Sequence, residues 1–157
     1  MYRKQGGRQE RREENKEFEE QLVELRRVTR TVAGGKRLSF RAAVVIGNRK
    51  GKVGLGVGKG KDVSTAISKA VEKAKKNIFE VPITDKGSIT HYLRAKFKAS
   101  RVLLRPAPEG HGIIAGGPVR VVLELAGFSN ITAKMLGSRN KINSLKATIK
   151  AFQNLRK

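Results

Sequence analysis

The chain has 157 residues, with 35 Lys plus Arg against 13 Asp plus Glu and a formal net charge of +22. It contains no cysteine, which excludes disulfides, thiolate metal sites and a cysteine nucleophile. No apolar run reaches the roughly 18 residues that span a bilayer.

The charge is uneven. Residues 1–25 hold 6 basic and 7 acidic side chains, which leaves 29 basic and 6 acidic for residues 26–157. A body so cationic repels itself unless a polyanion neutralises it, and nucleic acid is the first candidate. Apolar residues make up 38% and aromatics 5%, so the expected cores are small and built from Val, Ile, Leu and Ala. The N-terminus has no apolar signal core, and its glutamates argue against a transit peptide, so a cytoplasmic or organellar location is expected.

Residues 1–20 read as a flexible charged arm, with a transient helix around Glu13–Glu24. From about Gln21 the chain becomes strand-like, and Gly34-Gly35 followed by Lys36-Arg37 marks a turn with a cationic tip. Ser39–Ile46 alternates, with Phe40, Ala42, Val44 and Ile46 on one face. Gly47-Asn48-Arg49-Lys50-Gly51 closes a hairpin into a third antiparallel strand. In that strand Gly54, Gly56, Gly58 and Gly60 leave one face without side chains, opposite Val53, Leu55 and Val57. A bare face lets a helix or a nucleic-acid backbone approach closely.

Asp62 stands where a helix N-cap is needed, its carboxylate able to accept the free amides of the first turn. Val63, Ala66, Ile67, Ala70, Val71, Ala74 and Ile78 follow at helical spacing. A β-β-β-α unit results, and residues 21–85 are assigned to a first domain. Val81–Gly87 reads as a linker into a second domain, residues 86–157. Ile89–Arg105 suits two strands or one long bent pair. Val119–Ala126, between Pro118 and Gly127, has helix punctuation but strand-like composition. Ile131–Leu136 reads as a strand. Asn140 can cap a final helix with Ile142, Leu145, Ile149, Phe152 and Leu155 buried. Two small α+β domains in tandem is the simplest arrangement.

Enzymatic readings find little support. Gly58-Lys59 and Gly60-Lys61 lack the hydroxyl residue and the glycine spacing of a phosphate-binding loop. Gly110-His111-Gly112-Ile113-Ile114-Ala115 matches a relaxed dinucleotide fingerprint, but prolines interrupt its lead-in and no acidic residue follows after 128. His91 and His111 are the only histidines, and Glu109 the only carboxylate near either. No metal site or cofactor is expected.

The cationic tips remain. Arg27, Arg30, Thr31, Gly34, Gly35, Lys36 and Arg37 belong to the first, Asn48, Arg49, Lys50 and Lys52 to the second. Lys59 and Lys61 precede a helix N-terminus, which adds attraction for phosphate. Glycine-rich tips bring backbone amides to phosphates. With Tyr92 standing alone as a stacking platform, binding is expected to read the shape and backbone of structured RNA.

Several of these stretches resemble the family of the fifth protein of the small ribosomal subunit. They include Gly34-Gly35-Lys36, Gly47-Asn48, Gly51-Lys52-Val53-Gly54-Leu55-Gly56-Val57-Gly58-Lys59 and Asp62-Val63. Further on, Val102-Leu103-Leu104, Pro106-Ala107, Glu109-Gly110, Gly112–Arg120, Leu136-Gly137-Ser138 and Asn140 continue the likeness in the right order. The resemblance implies an α+β fold, a double-stranded-RNA-binding-like β-β-β-α domain followed by a small α/β domain of the C-terminal type of that family. It implies a structural, non-enzymatic constituent of the small subunit, not a homo-oligomer and not membrane-bound. The implied partners are small-subunit rRNA and ribosomal proteins four and eight, near messenger RNA entry. A role in decoding accuracy and a link of the Gly34-Gly35 loop to spectinomycin sensitivity are also implied. So is a contact with protein four through Glu109, Gly110, His111, Gly112, Gly116, Gly117 and Arg120. From the residues alone, a free-standing double-stranded-RNA binder or RNA chaperone is the alternative.

Overall fold

The computed structural model describes residues 18–155, so the predicted arm lies outside them apart from residues 18–20. Four strands, β1 (Glu19–Val32), β2 (Gly35–Gly47), β3 (Lys52–Gly60) and β4 (Ile78–Glu80), form one antiparallel sheet in that order. Helix α1 (Val63–Lys76) covers one face of it. Ala42, Val44 and Ile46 pack beneath α1, while Ala43 and Val45 point to the opposite face and are equally buried. That double burial is why Ala42–Ile46 is apolar at every position.

The glycines of β3 lie under α1. A Cβ on Gly54 would come 2.6 Å from the Ala74 carbonyl oxygen, and on Gly60 2.6 Å from the Ala66 amide. Cβ atoms on Gly56 and Gly58 would collide with the carbonyls of Ala70 and Ala66. Small residues recur every second position in the strand and every fourth in the helix, so the two backbones run in contact. The bare face therefore holds a helix of the same chain.

The second half contains β5 (Leu93–Phe97), β6 (Ser100–Pro106), β7 (Ile113–Ile114), α2 (Gly117–Ala126), β8 (Ile131–Gly137) and α3 (Lys141–Gln153). Its sheet has the order β5-β6-β8-β7, antiparallel except for the β7–β8 pair. Helices α2 and α3 sit between the two sheets. Their apolar residues join Val45, Val53 and Leu55 of the first sheet and Val102, Leu104 and Ile131 of the second in one core. Phe152 of α3 stacks on Phe128 at 5.5 Å and meets Phe79 of β4 at 6.4 Å, which ties the halves together. The order of layers is α1, first sheet, helix pair, second sheet.

Several expectations change. Residues Glu19–Glu24 of the expected transient helix are strand, because pairing with β2 satisfies their backbone; the rest of that stretch lies outside the described residues. Ile78 is not in the helix. Asn77 ends α1, its side-chain amide donating to the Lys73 carbonyl at 3.0 Å, and Ile78 opens a fourth strand opposite Gly54. Asp62 occupies the N-cap position, but its side chain makes no capping bond. Asn140 does cap α3, accepting from the Asn143 amide at 3.2 Å. The buried face of α3 is Ser144, Leu145, Ala147, Thr148, Ala151 and Phe152, with Ile142 and Ile149 on its half-buried flanks. Val119–Ala126 is helical, closed by Gly127 at φ 99 with its amide donating to the carbonyls of Leu123 and Glu124. The stretch expected as a linker is tied down by Thr84, whose hydroxyl donates to the Ser88 carbonyl at 2.9 Å.

Candidate nucleic-acid interface

Strand β1 pairs along the whole of β2, but β3 pairs with β2 only from Phe40 to Gly47. Residues 28–39 therefore leave the sheet as a two-stranded ribbon, closed by a short turn at Ala33-Gly34. Ribbon side chains are mostly exposed, including Leu38 at 54%. Residues directly opposite share a face. One face carries Arg30 opposite Arg37, and Arg26 opposite Arg41. Lys59 lies opposite Arg41 on β3, so Arg26, Arg41 and Lys59 form a row across three strands. The other face carries Arg27 opposite Phe40 and Thr31 opposite Lys36. Exposed Lys61 stands between β3 and α1.

The two arginine pairs differ in their surroundings. Glu24, 8% exposed, receives Arg26 at 3.0 Å and Arg41 at 3.6 Å. Further out, Arg30 and Arg37 face each other with no carboxylate within ion-pair distance among the described residues. Like charges directly opposite destabilise a ladder. An anion bridging the two guanidinium groups reverses that sign.

The second tip sits at the other end of β2, roughly 40 Å from the first at about 3.4 Å per residue. Its backbone is engaged. The Arg49 amide donates to the Leu125 carbonyl at 2.9 Å, and the Gly51 amide to that of Ala126 at 2.8 Å, so the tip closes the C-terminal end of α2. The Asn48 carboxamide oxygen accepts from the amides of Lys50 and Lys52 at 2.8 and 3.0 Å. Arg49 pairs with Glu19 at 2.7 Å. Lys50 and Lys52 are exposed, and neither has an ion-pair partner among the described residues. The structure thus brings Arg27, Arg30, Thr31, Gly34, Gly35, Lys36, Arg37, Lys59 and Lys61 to one end of the first sheet. It separates them from Asn48, Arg49, Lys50 and Lys52.

Glu109, Gly110, His111 and Gly112 form a loop before β7, anchored where the Gly112 amide donates to the side chain of Asn130 at 3.2 Å. Gly110, Gly112 and Gly117 have open space where a side chain would stand, whereas Gly116 abuts Met135. Arg120 is held by Glu124 at 2.7 Å, one turn along α2. Among the described residues no three His, Asp or Glu groups converge as metal ligands.

Sequence reasoning missed two features. Asn130, 8% exposed, also donates to the Lys86 carbonyl at 2.8 Å and so joins two loops. The uncovered face of the second sheet, where Arg94, Lys96, Arg101, Arg105 and Lys134 are exposed, carried a signal in the alternation of cationic and apolar residues.

Known proteins give a consistent match. The chain fits the family described as "Ribosomal protein S5, N-terminal domain" over residues 18–82 and "Ribosomal protein S5, C-terminal domain" over residues 95–157. It is 52% identical over 145 residues to small ribosomal subunit protein uS5c of Emiliania huxleyi, covering 92% of this chain and 91% of the relative. Small ribosomal subunit protein uS5 of Picosynechococcus is 50% identical over 145 residues, 92% and 84% of the two chains. The uS5 protein of Mycoplasmopsis agalactiae is 52% identical over 144 residues, 92% of this chain and 62% of the longer relative. With both halves matched in order, and a β-β-β-α unit followed by a second α/β layer pair, the chain belongs to the ribosomal protein S5 family.

Proposed function

We propose that this chain is a structural component of the small ribosomal subunit, not an enzyme, and that its ribbon end binds the phosphate backbone of small-subunit rRNA. The Arg30–Arg37 pair carries the reading. Two arginines held opposite each other, with no carboxylate paired to either among the described residues, cost stability in the free protein, and RNA phosphate supplies the missing charge. Lys36 extends the contact on the ribbon, and Arg27, Lys59 and Lys61 extend it on the sheet. Lys50 and Lys52 touch a separate phosphate at the far tip, with Asn48 and Arg49 shaping the loop. The Glu109–Arg120 segment meets ribosomal protein four. Support comes from its glycine backbone, which at Gly110, Gly112 and Gly117 is open to close approach. Through that contact the chain supports decoding accuracy, with protein eight and the messenger RNA entry side nearby, on a cytoplasmic or organellar ribosome.

Two measurements test this. The protein co-sediments near-stoichiometrically with small subunits, and its absence from purified particles removes the proposal. If the isolated protein makes about 6–10 phosphate contacts, affinity for its rRNA fragment falls by about 10³–10⁵ between about 50 and 200 mM salt. A flat response removes the backbone-binding reading.

A paired variant separates binding from folding. Arg30→Thr with Arg37→Thr keeps strand-forming side chains. It makes the salt slope shallower by about 2. The same variant stabilises the free protein at low salt by about 0.2–1 kcal/mol, because a like-charged cross-strand pair is gone. An unchanged slope shows that these two arginines touch no phosphate.

A further inference from the structure

The second sheet is covered on one face only. Leu93, Ala95, Val102, Leu104, Ile131 and Ala133 are buried toward α2 and α3. Alternation along the strands turns Arg94, Lys96, Arg101, Arg105 and Lys134 the other way, and all five are exposed. Their register makes a continuous surface. Arg94 lies opposite Leu103, which lies opposite Lys134, and Lys96 opposite Arg101, which lies opposite Leu136. Cations therefore occupy adjacent rows across three strands, about 7 Å apart along each strand.

The sign of this face is uniform. Strands β5, β6, β7 and β8 contain no Asp or Glu. None of the five cations has an ion-pair partner among the described residues. Lys96 directly opposes Arg101, a repulsive arrangement like that of Arg30 and Arg37. A face that serves only solubility mixes both signs. Arg105 lies over the ring of Tyr92 at 5.6 Å, which gives the edge of the face a flat cationic plate. One aromatic ring is too few for serial base stacking, so the face suits backbone rather than bases.

We infer that the uncovered face of β5, β6 and β8 is a second rRNA-binding surface that grips the sugar–phosphate backbone of folded small-subunit rRNA. The inference rests on the reading of this chain as a small-subunit protein, and it adds a contact on the half of the molecule away from the ribbon. Exposed Leu136 and half-buried Leu103 lie between the cations and offer apolar surface to riboses.

The test uses intact small subunits containing the full chain. Lysines are joined to RNA with a short heterobifunctional cross-linker, amine-reactive at one end and alkylating guanine N7 at the other, the RNA is digested, and peptides carrying nucleotides are located by mass spectrometry. Nucleotide adducts are expected on Lys96, Lys134 or both. Adducts on Lys36 with none on Lys96 or Lys134 overturn this inference and leave the ribbon contact standing. Adducts on Lys96 or Lys134 with none on Lys36 support it and count against the ribbon. Subunits that lack the chain altogether remove the underlying reading and this inference with it.

Discussion

Gly56→Ala is expected to destabilise the protein by about 3 kcal/mol, far more than an alanine costs in an ordinary strand. The new Cβ would collide with the Ala70 carbonyl and stand 2.6 Å from the Ala74 amide nitrogen. Both are backbone atoms of α1, so no side chain can swing aside. The helix must lift from the sheet, and Ala66, Ala70 and Ala74 lose their packing together. Against a total stability of about 5–15 kcal/mol, that loss is large. Gly34→Ala is the matched control. No atom lies within 4 Å of its added Cβ, and a change below about 0.5 kcal/mol is expected. Urea titrations of both variants decide the matter, and a Gly56→Ala midpoint equal to that of the parent chain refutes the packing of α1 on the glycine face.

The glycine face was legible because two periods agree: every second residue in β3 is a glycine, and every fourth residue from Ala66 to Ala74 is an alanine. What lay on the glycines was not legible, since a helix and an RNA backbone both require a bare strand. Ile78 misled for a related reason. It sits at the helical spacing of the α1 stripe, yet a three-residue strand such as β4 is too short to show a period of its own. The docking of the second tip left no trace in sequence, because Arg49 and Gly51 bond to the main chain of Leu125 and Ala126, where side-chain identity is irrelevant. Placement of the cations followed the same limit. The tips were visible as glycine and lysine clusters, but which of them share a surface depends on the length of β2. The cationic face of the second sheet was written in the alternation Leu93, Arg94, Ala95, Lys96. It has no glycine tip to advertise it.

The sharing of one core by both halves has a direct consequence for residues 18–85 expressed alone. Such a fragment retains β1–β4 and α1 but loses α2 and α3, which cover Val45, Val53 and Leu55. Each Val or Leu side chain returned to water costs about 1.5–3 kcal/mol, so these three together cost roughly 5–9 kcal/mol. The hairpin tip also loses the Leu125 and Ala126 carbonyls that fix it. A loss of that size equals most of the stability of a small domain. The fragment is expected to show no cooperative thermal transition, whereas the full chain unfolds in a single step read identically by probes in either half. A folded fragment with the melting temperature of the full chain contradicts this. The ribbon would then be held by the first sheet alone. If the fragment fails as expected, the ribbon owes its position to helices encoded more than 75 residues after its tip, at Lys141–Gln153 as well as Gly117–Ala126. Substitutions buried in those helices then weaken RNA binding without touching RNA.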